Sequence, residues 1–259
     1  MVLAILLGIL VGFLINYLAD VLPHTLRLTH PACVNPECKQ PFSWADYLGM
    51  RRCIKCGKGR GRRPIVIIAL STVASVYLWI VQPTKMGFAL GLVILTYLLA
   101  VAIVDLEHRL ILRPLSIAGL ALGLLVGMMV NGWSSTLIGG ATGFGIMFLF
   151  YLFGRLFARM RARRMGKESQ DNEEALGSGD VTLATILGLL LGWPLIWFGL
   201  LLGILFAGIV SLFILAGLLI TRSYGQKALM VFIPYGPAFI LSAILLIYFP
   251  HWMAYLVPR

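Results

Sequence analysis

Charge is scarce in this chain. Only 12% of its 259 residues are Asp, Glu, Lys or Arg, while 60% are apolar and the mean hydropathy is +0.94. Soluble globular proteins carry about 25% charged residues, so this composition excludes that class and points to a polytopic membrane protein. Acids are scarcer still, at ten, against 21 Lys and Arg. There are four cysteines, all between residues 20 and 64. Internal repeats, a phosphate-cradling glycine loop and a Ser-His nucleophile context do not stand out, which sets aside repeat arrays, nucleotide hydrolases and serine hydrolases.

What is present is apolar length. A bilayer span takes about 20 apolar residues in a helix, and the sequence predicts an all-α bundle of eight spans, at roughly 2–19, 65–82, 86–104, 114–131, 136–157, 181–197, 198–220 and 229–256. The boundary between the sixth and seventh is the least defined. Met1 to Ala19 has no small-residue cleavage site after it and reads as a retained first span. The chain divides into that span (1–19), a polar segment (20–64) and a helical core (65–259).

The net charge of +11 would suggest nucleic acid in a soluble protein, but its distribution points elsewhere. With both termini outside, nineteen of the 21 cations fall on cytoplasmic segments: nine from Arg27 to Arg63, then Arg109 and Arg113, six from Arg155 to Lys167, and Arg222 with Lys227. Only Lys85 and Arg259 lie outside. This is a positive-inside pattern, and it points to a membrane protein whose partner surface is lipid rather than nucleic acid.

Against that frame the acids sort themselves. Asp20, Glu37 and Asp46 fall in the cysteine-bearing segment, Glu168, Asp171, Glu173 and Glu174 crowd a charged loop, and Glu107 lies in a polar loop. Asp105 and Asp180 remain, each abutting a long apolar run on the predicted cytoplasmic side. An ionisable group at a bilayer boundary is costly and is a functional candidate by default. Two carboxylates brought close share a proton, so that one serves as base toward water and the other as acid. Taken singly, Asp180 could merely cap a helix beginning near Val181, and Asp105 could be an interfacial anchor. His108 is a candidate for proton transfer, although a lone interfacial histidine more often only hydrogen-bonds.

The polar segment holds Cys33-x4-Cys38 and Cys53-x2-Cys56, two close pairs with the spacing of a four-thiolate zinc site. Two disulfides are the alternative, disfavoured in a reducing cytoplasm. Four thiolates leave no open position for water, so the expected zinc is structural. The basic run Arg60-Gly61-Arg62-Arg63 reads as an anchor for anionic lipid.

Glycine and proline mark the remaining positions of interest. Gly12 and Asn16 lie four apart on the first span, and Gly139, Gly140, Gly143 and Gly145 thin the fifth, a pattern suited to close helix packing. Gly177 and Gly179 let the backbone turn or approach a partner beside Asp180. Ile233-Pro234-Tyr235-Gly236-Pro237 interrupts an apolar stretch with non-helical backbone, tolerated where it lines a cavity or is buried in protein.

Taken in order, Asp105 with Pro114 behind it, Gly177-Ser178-Gly179-Asp180, the paired cysteines, and Pro234-Tyr235-Gly236-Pro237 resemble a bacterial type IV prepilin peptidase, a Gly-x-Gly-Asp intramembrane aspartyl protease. The resemblance implies cleavage of the basic leader of prepilins or pseudopilins, after a glycine, on the cytoplasmic side. It implies Asp105 and Asp180 as the catalytic pair, with Gly177, Gly179, Pro234, Gly236 and Pro237 shaping the substrate-facing loops. Cys33, Cys38, Cys53 and Cys56 would hold zinc. Many members also methylate the new amino terminus with S-adenosylmethionine. The chain departs from the family pattern at Thr182, where Lys is usual, at Val21, where Arg is usual, and in the wider first cysteine spacing.

Two rival classes make different demands. A secondary transporter using the aspartates as a proton or cation relay calls for acids near the midplane and repeat symmetry. A zinc-held membrane scaffold in which both aspartates are caps calls for full activity after either is changed to Asn.

Overall fold

In a computed structural model, residues 1–33, 38, 40–57, 59–82, 86–165, 177–220 and 235–250 are described. Among them the only regular structure is helical, apart from one isolated antiparallel bridge between Ala32 and Pro41. The chain forms two compact units, Met1–Leu115 and Ser116–Arg259.

The first unit is built from α1 (Val2–Thr25), the short α2 (Trp44–Leu48), α3 (Arg63–Val81) and α4 (Gly87–His108). α1 and α3 pack closely because Gly8 and Gly12 present bare backbone to Thr72 and Ile68, where an added Cβ would come within 2.6 Å of each Cα. Polar side chains then bridge the same seam. Ser71 donates to the Gly8 carbonyl at 2.9 Å and Ser75 to the Ala4 carbonyl at 2.7 Å. Asn16 donates to the carbonyls of Gly12 (2.8 Å) and Pro64 (3.3 Å). The expected packing role of Gly12 and Asn16 is what the structure contains.

The second unit takes α5 (Arg113–Asn131, whose first three residues belong to the first unit), α6 (Trp133–Met165), α7 (Ser178–Leu191), α8 (Leu195–Ile220) and α9 (Gly236–Tyr248). α7 is its centre, buried along Leu183, Ile186, Leu187 and Leu190. Gly139, Gly140 and Gly143 of α6 face α7, and a Cβ on Gly188 would stand 2.3 Å from the Gly139 carbonyl oxygen. Gly145 has open space beside it and takes no part in that contact.

The expectation of eight spans is corrected to six. Among the described residues, α1, α3, α4, α5, α6 and α8 are long and apolar enough to cross a membrane, whereas α7 has 14 residues and α9 has 13. α7 stops at Gly192, whose φ of +72° is a left-handed conformation suited to glycine. Side chains and backbone of the α5–α6 corner hold that end. Asn131 donates to the Leu190 carbonyl at 2.9 Å, the Trp193 amide to Ser135 at 3.0 Å, and the Ser135 hydroxyl to Trp193 at 2.8 Å. Hydropathy cannot see this break, because Gly-Trp-Pro reads as apolar. The predicted last helix, 229–256, is described only from Gly236 to Tyr248, and its flanks lie outside the described residues.

Helix ends also move. α1 runs past the predicted 19 to Thr25, with Pro23 in its last turn. α4 continues past the predicted end at 104, through Asp105, to His108, so that Glu107 lies in its last turn and not in a polar loop. Arg109 closes it in a left-handed conformation, its amide bonding the Asp105 carbonyl at 2.8 Å. α5 then begins with Pro114 as its second residue, a position where the missing amide costs nothing.

Candidate active site and cysteine cluster

Asp105 sits in the last turn of α4 with 5% of its surface exposed, behind Val101 and Val104, which are buried too. Its burial follows from the helix: an i, i+4 spacing puts Asp105 on the face of Val101 that enters the first unit's core. The neighbouring His108 is half-buried, and its ring meets that of His24 edge-on at 5.8 Å.

Asp180 belongs to the second unit. Gly177 is the N-cap of α7, so Asp180 is the third helical residue, which sets aside the alternative that it caps a helix beginning near Val181. That position suits a carboxylate, which faces the open amides and positive end of the helix dipole. The Asp180 amide bonds the Gly177 carbonyl at 3.1 Å. Thr182, where the family pattern has Lys, donates to the Ser178 carbonyl at 3.3 Å. Gly179 is half-buried in the first turn, Gly177 is exposed, and Gly236 with Pro237 opens α9 behind Tyr235. Pro234 and the acids Glu168, Asp171, Glu173 and Glu174 lie outside the described residues.

The four cysteines come together. One ligand sulfur from each of Cys33, Cys38, Cys53 and Cys56 lies within 4.8 Å of the others, with 3.4 Å between Cys33 and Cys56 and 3.8 Å between Cys38 and Cys53. These distances are too long for disulfides. A tetrahedral ion with metal–sulfur bonds of about 2.3 Å requires sulfurs about 3.8 Å apart, so the residues fit a bound metal. Local hydrogen bonds shape both arms: the Cys33 amide bonds Gln40 and the Phe42 amide bonds Pro31, while the Gly57 amide returns to the Cys53 carbonyl at 2.8 Å. The backbone amides of Cys56 and, less strongly, Lys55 hold the Cys53 thiol down to about 7 against its desolvation, which prepares it as a thiolate.

A third group escaped the sequence reading. Asp20, on α1, takes the Tyr47 hydroxyl at 2.7 Å and pairs with Arg60 at 3.2 Å and with Arg63. Arg63 reaches on to Glu107 at 2.5 Å. The Asp20 and Arg60 side chains are only 7% and 8% exposed. Arg60 also lies 3.2 Å over the Tyr47 ring and donates to the Tyr47 carbonyl. Burial, then the Asp20 carboxylate, pushes the Tyr47 phenol well above its usual range. Arg60 and Arg63 are thus turned inward, which corrects their reading as a lipid anchor; Arg62 alone of the three is exposed. The available signal was periodicity: Asp20 follows Asn16 by four on one helix, and Val21-Leu22 continues the apolar run beyond it.

The fold and these sites define a multi-pass helical membrane protein with one buried and one helix-leading aspartate. Comparison with known proteins sharpens the class. The model of the type IV leader peptidase family matches residues 92–212. A prepilin leader peptidase/N-methyltransferase from Klebsiella pneumoniae is 26% identical over 182 residues, covering 65% of this chain and 72% of that protein. No solved structure matches. Over residues 92–212 the chain thus matches the type IV prepilin leader peptidase family, a family of aspartic peptidases.

Proposed function

We propose that this protein cleaves the leader from type IV prepilins or pseudopilins at the cytoplasmic face of the membrane, with Asp105 and Asp180 as its catalytic pair. The observation that carries the reading is the family match over residues 92–212, a stretch that includes both aspartates. Their placement supports it: each occupies an end turn of its helix, not the mid-helix position that a midplane relay would need.

The two carboxyls share one proton. The ionised member takes a proton from water as the water oxygen bonds the scissile carbonyl carbon, and the protonated member donates to the carbonyl oxygen. Collapse of the tetrahedral intermediate breaks the C–N bond: the aspartate that took the water proton passes it to the leaving amine, and the other takes back the hydroxyl proton, so the pair again holds one. No covalent enzyme intermediate forms. Gly177 and Gly179 before Asp180, and Gly236 with Pro237 at the start of α9, admit the extended substrate backbone, a role proposed for Pro234 as well. The acids of 168–174 attract the basic leader.

Residues 20–64 form the metal-held segment and 65–259 the catalytic core, with zinc the ion that four thiolates select. Cys33, Cys38, Cys53 and Cys56 would hold such an ion with four thiolates, and its part would be to close the loop, with no position left for water. The name of the Klebsiella relative supports a second activity, N-methylation of the new amino terminus, for which S-adenosylmethionine would supply the methyl group.

Mass spectrometry of a prepilin incubated with the purified protein and S-adenosylmethionine tests all of this. Leader loss should fall by at least about 10²-fold in both Asp105→Asn and Asp180→Asn. An added methyl mass on the mature product reports the second activity. Cleavage that persists in either variant would refute the dyad.

A further inference from the structure

Two charges in the first unit stand at the wrong ends of their helices. Arg63 is the first residue of α3, where the dipole is positive, and Glu107 lies in the last turn of α4, where it is negative. Each is unfavourable alone, and each is relieved by the other through the 2.5 Å ion pair between them. Local rules broken in a mutually compensating way mark a position fixed for a purpose beyond local stability.

The pair is part of a longer chain of contacts. Cys56, a member of the sulfur cluster, precedes Arg60 by four residues; Arg60 is bound to the Tyr47 ring, the Tyr47 carbonyl and Asp20. Asp20 holds Arg63, Arg63 holds Glu107, and Glu107 is two residues from Asp105. Polar contacts therefore run from Arg60 to Glu107, and the chain itself joins their two ends to the cysteine cluster at Cys56 and to the turn that carries Asp105. The Arg109 amide, bonded to the Asp105 carbonyl, closes that turn.

We propose that Asp20, Arg63 and Glu107 are positioning residues: they transmit the order of the metal-held segment to the last turn of α4 and so set the Asp105 carboxylate. The proposal rests on the peptidase reading for its catalytic consequence, but the mechanical link does not depend on it. Without metal, the 53–60 segment loses its anchor, Arg60 is released from Asp20, and the α4 end frays.

The test is a cycle of two perturbations, metal removal by a chelator and Glu107→Gln, read by hydrogen exchange of the amides from Val104 to Leu112 in the detergent-solubilised full chain. Chelation of the unaltered protein should raise exchange there about tenfold, and Glu107→Gln should do the same while keeping its bound zinc. The two together should give no more than either alone, because both break one path. On prepilin, Glu107→Gln should lower kcat about tenfold with KM within twofold, and Glu107→Asp should restore part of it. Additive effects on exchange, an unchanged kcat, or loss of zinc in Glu107→Gln would each overturn the proposal. If the unaltered protein does not cleave prepilin, the peptidase reading fails, while the exchange cycle still decides the link.

Discussion

In the first unit the helix that carries Asp105 is tied by charge, through Asp20, Arg63 and Glu107; in the second, the helix that carries Asp180 is tied by contact, through glycine backbone laid on glycine backbone. Asp180 is the only acid among the described residues of the second unit. The difference matters because the two kinds of tether respond to different variables. A buried ion network holds only while every member is charged and paired. Backbone contact in an apolar seam is indifferent to pH and metal, but it tolerates no added atoms. One aspartate is thus on an adjustable mount and the other on a fixed one.

The sharpest way to break the contrast is at the charge side. Asp20→Ala leaves Arg60 buried without its carboxylate and should cost about 3–5 kcal/mol, read as a lowered unfolding midpoint in detergent. A loss below about 1 kcal/mol would mean that the network is decorative. On the contact side, Gly188→Ala places a methyl 2.3 Å from the Gly139 carbonyl oxygen and should cost about 1–3 kcal/mol by overpacking. Gly145→Ala, which meets nothing, serves as its neutral control. The mildest perturbation is pH. Because the Cys53 thiol is held near 7, below its ordinary range, its thiolate persists above that pH and is lost as pH falls through it. Apparent metal affinity, followed with a competing chelator, should be nearly flat in this thiol's contribution above about 7 and fall about tenfold per pH unit below it. The protection factors of the α7 amides, which remove the intrinsic pH dependence of exchange, should not change over the same range.

Sequence made the contact tether readable and the charge tether opaque. Glycines crowded at 139, 140 and 143 announce close packing because nothing else explains them in an apolar helix. Charges announce only that they exist: Asp20 counted with the cysteine segment, Arg60 and Arg63 as lipid anchors and Glu107 as a loop residue, since one-dimensional spacing does not say which of them meet across 40 to 44 residues. The cysteine cluster was legible because thiol spacing is itself the ligand geometry. The ends of α7 were not, because Gly192 acts through a backbone angle and Asn131 and Ser135 act from other helices.

The shortness of α7 bears on where water can reach. Fourteen residues make a helix about 21 Å long, against a hydrocarbon layer about 30 Å thick. A bilayer beside such a helix must thin, or the helix must end beneath the surface. α7 packs against the longer α6 and α8 and cannot by itself fill that depth, so at least one of its ends lies short of a surface. On the proposal that Asp180 is catalytic, a first turn set in that way would bring solvent to its carboxylate while an apolar substrate segment stayed in the lipid.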